Sequence, residues 1–111
     1  MNTTRMDASL PLAPEWYERI AAAGTPRDLV MVVRSFLDTW SPVDLAKLPA
    51  RARPGRIVDA EDIASLAYDL AQERLRGDLP PEIDRLATRM HAFFSHAAAR
   101  AALLSAHRTQ P

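Results

Sequence analysis

The sequence predicts an all-α, single-domain helical bundle of four main helices and one short helix. Two observations carry this. Apolar side chains return every three or four positions through most of the chain, the spacing that gathers them on one side of a helix. The striped segments also open on helix-start signals. Thr25-Pro26-Arg27-Asp28, Ser41-Pro42-Val43-Asp44 and Asp59-Ala60-Glu61-Asp62 each place an acid three positions after a capping residue. The organisation read from these signals is a flexible N-terminal arm over 1–13, a helical bundle over 14–107 and a disordered tail over 108–111.

Composition sets the bounds. At 111 residues the chain has the size of one domain, and two would each have too little core. Apolar residues make up 48%, ample for one continuous core. No cysteine is present, which removes disulfides and thiolate metal sites. Met1 to Asp7 has no long apolar run after its arginine, so no secretion signal is expected. The longest apolar run, Leu29 to Val33, is too short to span a bilayer. The expectation is a cytoplasmic protein with no membrane partner.

The first helix is expected from Pro14 or Glu15 to Ala23, with Trp16, Ile20 and Ala23 on one face and Gly24 as its stop. Leu10 and Leu12, in the arm before it, are candidates to tuck against the body. Thr25 caps the second helix and Pro26 occupies its first position. Asp28 takes the glutamate role of a capping box. Its stripe is Leu29, Val33, Phe36 and Trp40, widened by Val30 and Leu37. Met31 and Val32 carry apolar character nearly all round, as in a helix at the centre of a bundle. Ser41 opens a short third helix that ends before Pro49, with Val43, Leu45 and Leu48 expected over one end of the core.

Residues 49–58 are the main loop, where Pro54-Gly55 reads as a turn with glycine at positive φ. Ile57 and Val58 are expected to anchor its far end. The fourth helix starts at Asp59. It carries Ile63, Leu66, Ala67, Leu70, Ala71 and Leu75, and stops at Gly77 behind Arg74 and Arg76. Pro80 and Pro81 introduce the fifth, with Ile83, Leu86, Met90, Phe93 or Phe94, Ala97, Ala101 and Leu104 in its stripe. That helix should run about 25 residues, or about 37 Å. The first two have room for only roughly 10 and 15 residues. Its end is therefore expected to project, kink or be covered by another molecule.

Fourteen basic and fourteen acidic residues cancel, so the strong positive footprint of a nucleic-acid binder is missing. Their distribution is uneven. Residues 47–56 carry Lys47, Arg51, Arg53 and Arg56 with no acid, and the fourth helix is acidic. Arg51, Arg53 and Arg56 are the candidate contacts for an anion or nucleic acid. Pairing with the acids of helix four is the plainer use.

No residue cluster meets the needs of catalysis or cofactor binding. His91 and His96 lie about 140° apart around a helix and cannot share a metal. His96 and Arg100 share a face. Arg85 with His91 and Arg89 with His96 have spacings that occur in helical ribonuclease domains. There arginine steadies phosphate and histidine moves a proton. The polar residue expected beside the arginine is absent, however, and Leu86 stands in its place. Asp69 and Glu73 share a helix face, but one helix supplies too few oxygens for a hard cation. No catalytic, metal or cofactor residue is assigned.

The function expected is therefore non-enzymatic: a protein-interaction or regulatory module, self-associating as a homodimer through the long last helix. Phe93, Phe94, Ala97, Ala98, Ala101 and Leu104 are its candidate interface. Of the adjacent Phe93 and Phe94, one should be deep and the other at a boundary. The alternatives are a nucleic-acid-associated protein using the arginine loop, and a small helical ribonuclease or other hydrolase.

Overall fold

The computed structural model describes residues 12–109. It is all helical: α1 (Pro14–Ala22), α2 (Pro26–Asp38), α3 (Pro42–Ala46), a 3₁₀ turn (Pro54–Arg56), α4 (Ala60–Arg76) and α5 (Pro81–Thr109). The expected arm lies outside the described residues as far as position 11. Leu12 is buried in the core, and Leu10 falls outside. Helix α5 is described through Thr109, and residues 110 and 111 of the expected tail lie outside the described residues.

Local chemistry fixes the helix starts. The Thr25 hydroxyl accepts from the Asp28 amide at 3.1 Å, and the Ser41 hydroxyl from the Asp44 amide at 3.1 Å. At α4 the reciprocal box forms in full. The Asp59 carboxylate accepts from the Asp62 amide at 3.0 Å, and the Asp62 carboxylate from the Asp59 amide at 3.3 Å. Gly77 ends α4 in the left-handed conformation, with φ 69°. The other two glycines differ from expectation. Among the described residues positive φ is confined to Gly77. The chain leaves α1 through an extended Ala23, and Gly55 sits inside a 3₁₀ turn.

α4 and α5 pack along one another, and α1 and α2 both lie on α5. Helix α5 has 29 residues, about 44 Å at 1.5 Å each, and the molecule is 47 Å in its longest dimension. Its own chain covers much of α5, and beyond that cover Ser105 and Ala106 are exposed. The shorter helices tile it, and buried positions recur from Ala87 to Leu104.

The core is one cluster. Phe36 of α2 stacks on Phe93 of α5 with centroids 3.8 Å apart and planes 5° from parallel. Trp16 of α1 meets both edge-on, at 5.3 and 5.8 Å. Phe94 closes the group at 5.4 Å from Phe93. Each such pair adds about 0.5–1.5 kcal/mol beyond the area it buries. Phe93 and Phe94 are both fully buried, so neither is the boundary residue expected of the pair. The core extends through Ile63, Leu66 and Leu70 of α4.

Several apolar residues assigned to the core are at the surface. Met31, Val43, Val58 and Leu75 are all exposed, as is Tyr68. Helix α2 is not enclosed all round. Its outer side meets solvent at Met31, because the helices that cover it lie on its Leu29, Val33 and Phe36 side.

Candidate interaction groove

The expected site residues are dispersed. Arg51 pairs through Nε with Asp69 at 2.9 Å. Arg53 donates Nη1 to the carbonyls of Leu45 (2.7 Å) and Ala52 (3.0 Å), fastening the loop to the end of α3. Arg56 is exposed and takes no part in these contacts. Internal pairing with α4 accounts for Arg51, and backbone clamping for Arg53.

The expected interface on α5 is largely interior. Phe93, Phe94, Ala97, Ala101 and Leu104 are buried within a single chain, and Ala98 is half-buried. Phe93, Phe94 and Ala97 therefore have no exposed area to offer a partner. Between Ala97 and Ala101 on the same helix, Arg100 reaches the Ala23 carbonyl at the α1–α2 junction.

Arg89 is buried rather than on an outer face. His96 meets Tyr17 edge-on at 4.7 Å. His91 lies 3.3 Å from Arg74 through Nδ1. Arginine carries only donors, so the contact is a hydrogen bond when Nδ1 is unprotonated and accepts. Burial, and secondarily the Arg74 charge, lower the His91 pKa. Among the described residues, no three His, Asp or Glu side chains come together to hold a metal ion.

One concave feature among the described residues is not apparent from the sequence. A groove of about 970 Å³ lies where α2 and α4 begin and α5 nears its end. Val30, Met31, Arg27 and Arg34 come from α2, Val58 precedes α4, and Leu104 comes from α5. Val30 and Leu104 are buried and form the floor, whereas Met31 is 59% and Val58 64% exposed. Met31 follows Val30 by about 100° around the helix, so the apolar surface runs from the core out to the rim. A flexible thioether at such a rim adapts to varied surfaces.

The electrostatics of the groove are one-sided. Arg34 donates Nε to the Pro54 carbonyl at 3.1 Å. Arg27 is exposed, and no side chain among the described residues pairs with it. Asp59, the carboxylate in the lining, is already committed to capping α4. The only sequence signal of this site was apolar residues standing off the α2 stripe, and that pattern reads equally as a central helix.

Fold and site together define a single-domain helical protein with an open apolar groove edged by arginine. No family model, no curated protein and no solved structure matches the chain. Among the described residues, no helix is long and apolar enough to cross a membrane.

Proposed function

We propose that this chain is a non-enzymatic protein-interaction module whose working surface is the groove between α2, α4 and the end of α5. One observation carries the reading: Met31 and Val58, two large apolar side chains more than half exposed, stand at the rim of a groove of about 970 Å³ with a buried apolar floor. Contiguous exposed apolar surface of this kind marks binding sites. The self-association expected of α5 loses its first footing with the burial of Phe93, Phe94 and Ala97. Leu103, 54% exposed and next to the groove residue Leu104, leaves a smaller surface for it.

The test compares two charge substitutions at exposed apolar positions. Met31→Glu lies in the groove, and Leu75→Glu lies on α4 away from its lining. Proteins captured by the wild-type chain should be retained by Leu75→Glu and lost with Met31→Glu. If both variants capture the wild-type set unchanged, the groove is not the working surface.

A further inference from the structure

We propose that the groove docks an acidic amphipathic helix of a partner protein, in which two carboxylates seven positions apart flank a pair of apolar side chains. This rests on the groove being the working surface and adds the chemistry of its occupant. Arg27, Val30, Met31 and Arg34 stand at i, i+3, i+4 and i+7 on α2 and all line the groove. That spacing puts them on one face over about 10 Å, reading basic, apolar, apolar, basic. A helix laid along this face matches it with the complementary order: acid, two apolar residues, acid. Helix-in-groove recognition uses anchors at these intervals.

Charge complementarity sets the sign. Two guanidinium groups line the groove against one carboxylate, Asp59, whose Oδ1 accepts from the Asp62 amide at 3.0 Å. Helices α2 and α4 both start at the groove, so the positive ends of their dipoles add to the same field. A second copy of the chain does not supply the pattern. Among the described helices, Asp62 and Asp69 of α4 are the acids seven positions apart with apolar character between them. Leu66 between them is fully buried, and Asp69 already pairs with Arg51.

The experiment is selection from a displayed library of random peptides about 15 residues long, four turns of helix, on the immobilised full chain. The expected result is enrichment of peptides with Asp or Glu seven positions apart around two large apolar residues. Their affinity should fall roughly tenfold or more with Arg27→Glu and with rising salt, and be lost with Met31→Glu. Arg27 is exposed and has no side-chain partner among the described residues, so this variant tests charge without testing folding. Enriched peptides that are neutral or basic, yet still lost with Met31→Glu, would overturn the acidic occupant and leave the groove reading intact. Peptides that bind Met31→Glu as well as wild type would remove both. A dimer in sedimentation equilibrium that Met31→Glu disperses would make a second copy the occupant and overturn the proposal.

Discussion

Arg100 of α5 donates both Nε and Nη2 to the carbonyl of Ala23, at 3.2 and 2.7 Å, across 77 positions of sequence. Ala23 is the residue through which the chain leaves α1, and its carbonyl falls outside the helix ladder. Gly24, Thr25 and Pro26 follow at once in the groove lining. One guanidinium therefore satisfies a stranded acceptor and fixes the junction from which α2 and the groove depart.

Replacing Arg100 should show this as stability. Hydrogen bonds from a charged donor contribute about 1.5–3 kcal/mol each in favourable settings. Arg100→Ala should therefore lower the urea-unfolding stability by about 2 kcal/mol. Arg100→Lys keeps the charge but not the two-pronged geometry, and should recover only part of the loss. A cost below about 0.5 kcal/mol, the level of an ordinary surface change, would show that the contact is incidental.

The Phe36–Phe93 stack joins α2 to α5, with Trp16 set edge-on against both. Phe93→Ala should cost about 3–5 kcal/mol, the range for deleting a buried aromatic ring. Phe93→Leu keeps most of the volume and should cost much less. Trp16 fluorescence should shift with Phe93→Ala. Leu103→Ala, at a position 54% exposed, should leave both stability and fluorescence near wild type. Similar costs at Phe93 and Leu103 would contradict the core as described.

What could be read from the sequence divides along the range of the interactions. Thr25, Ser41 and Asp59 bond to amides three positions away, so the chain itself displays those caps. The α4 stripe of Ile63, Leu66 and Leu70 was equally plain, because any bundle would bury it. The groove was not legible. Whether Met31 faces solvent depends on where α4 and α5 lie against α2, and no local pattern encodes that. Arg51, Arg53 and Arg100 looked alike as cations. One pairs with a carboxylate, and two bind carbonyls belonging to other elements.

The three glycines make a controlled comparison. Gly77 has φ 69°, and a Cβ there would meet nothing within 4 Å. Gly77→Ala therefore isolates the backbone penalty and should destabilise by about 1–2 kcal/mol. Gly24 and Gly55 have the same open surroundings without the positive φ. Alanine at either should be neutral or stabilise by about 0.4–1 kcal/mol, by narrowing the unfolded ensemble. Thermal unfolding of the three variants checks this, and an equal loss at all three would contradict the backbone assignment.

The Arg74–His91 contact should make stability depend on pH near neutrality. Burial first, and the Arg74 charge second, hold the folded-state pKa of His91 below its ordinary 6.5. The unfolded chain therefore takes up a proton before the folded one does. The contribution of His91 is fully present above 6.5 and is lost as pH falls through that value toward the lowered folded-state pKa. Protonating Nδ1 would also replace the acceptor facing Arg74 with a donor. Glu82, lowered by its hydrogen bond to Lys47, has its own window that opens only below 4.5, so the two do not overlap at the start. Melting temperatures of wild type should thus fall as pH drops from about 7.5 to about 5, and His91→Gln should flatten that slope. Arg74→Gln should flatten it only in part, since it removes the second cause and leaves the first. Parallel slopes for wild type and His91→Gln would show that the imidazole is not held neutral by the fold.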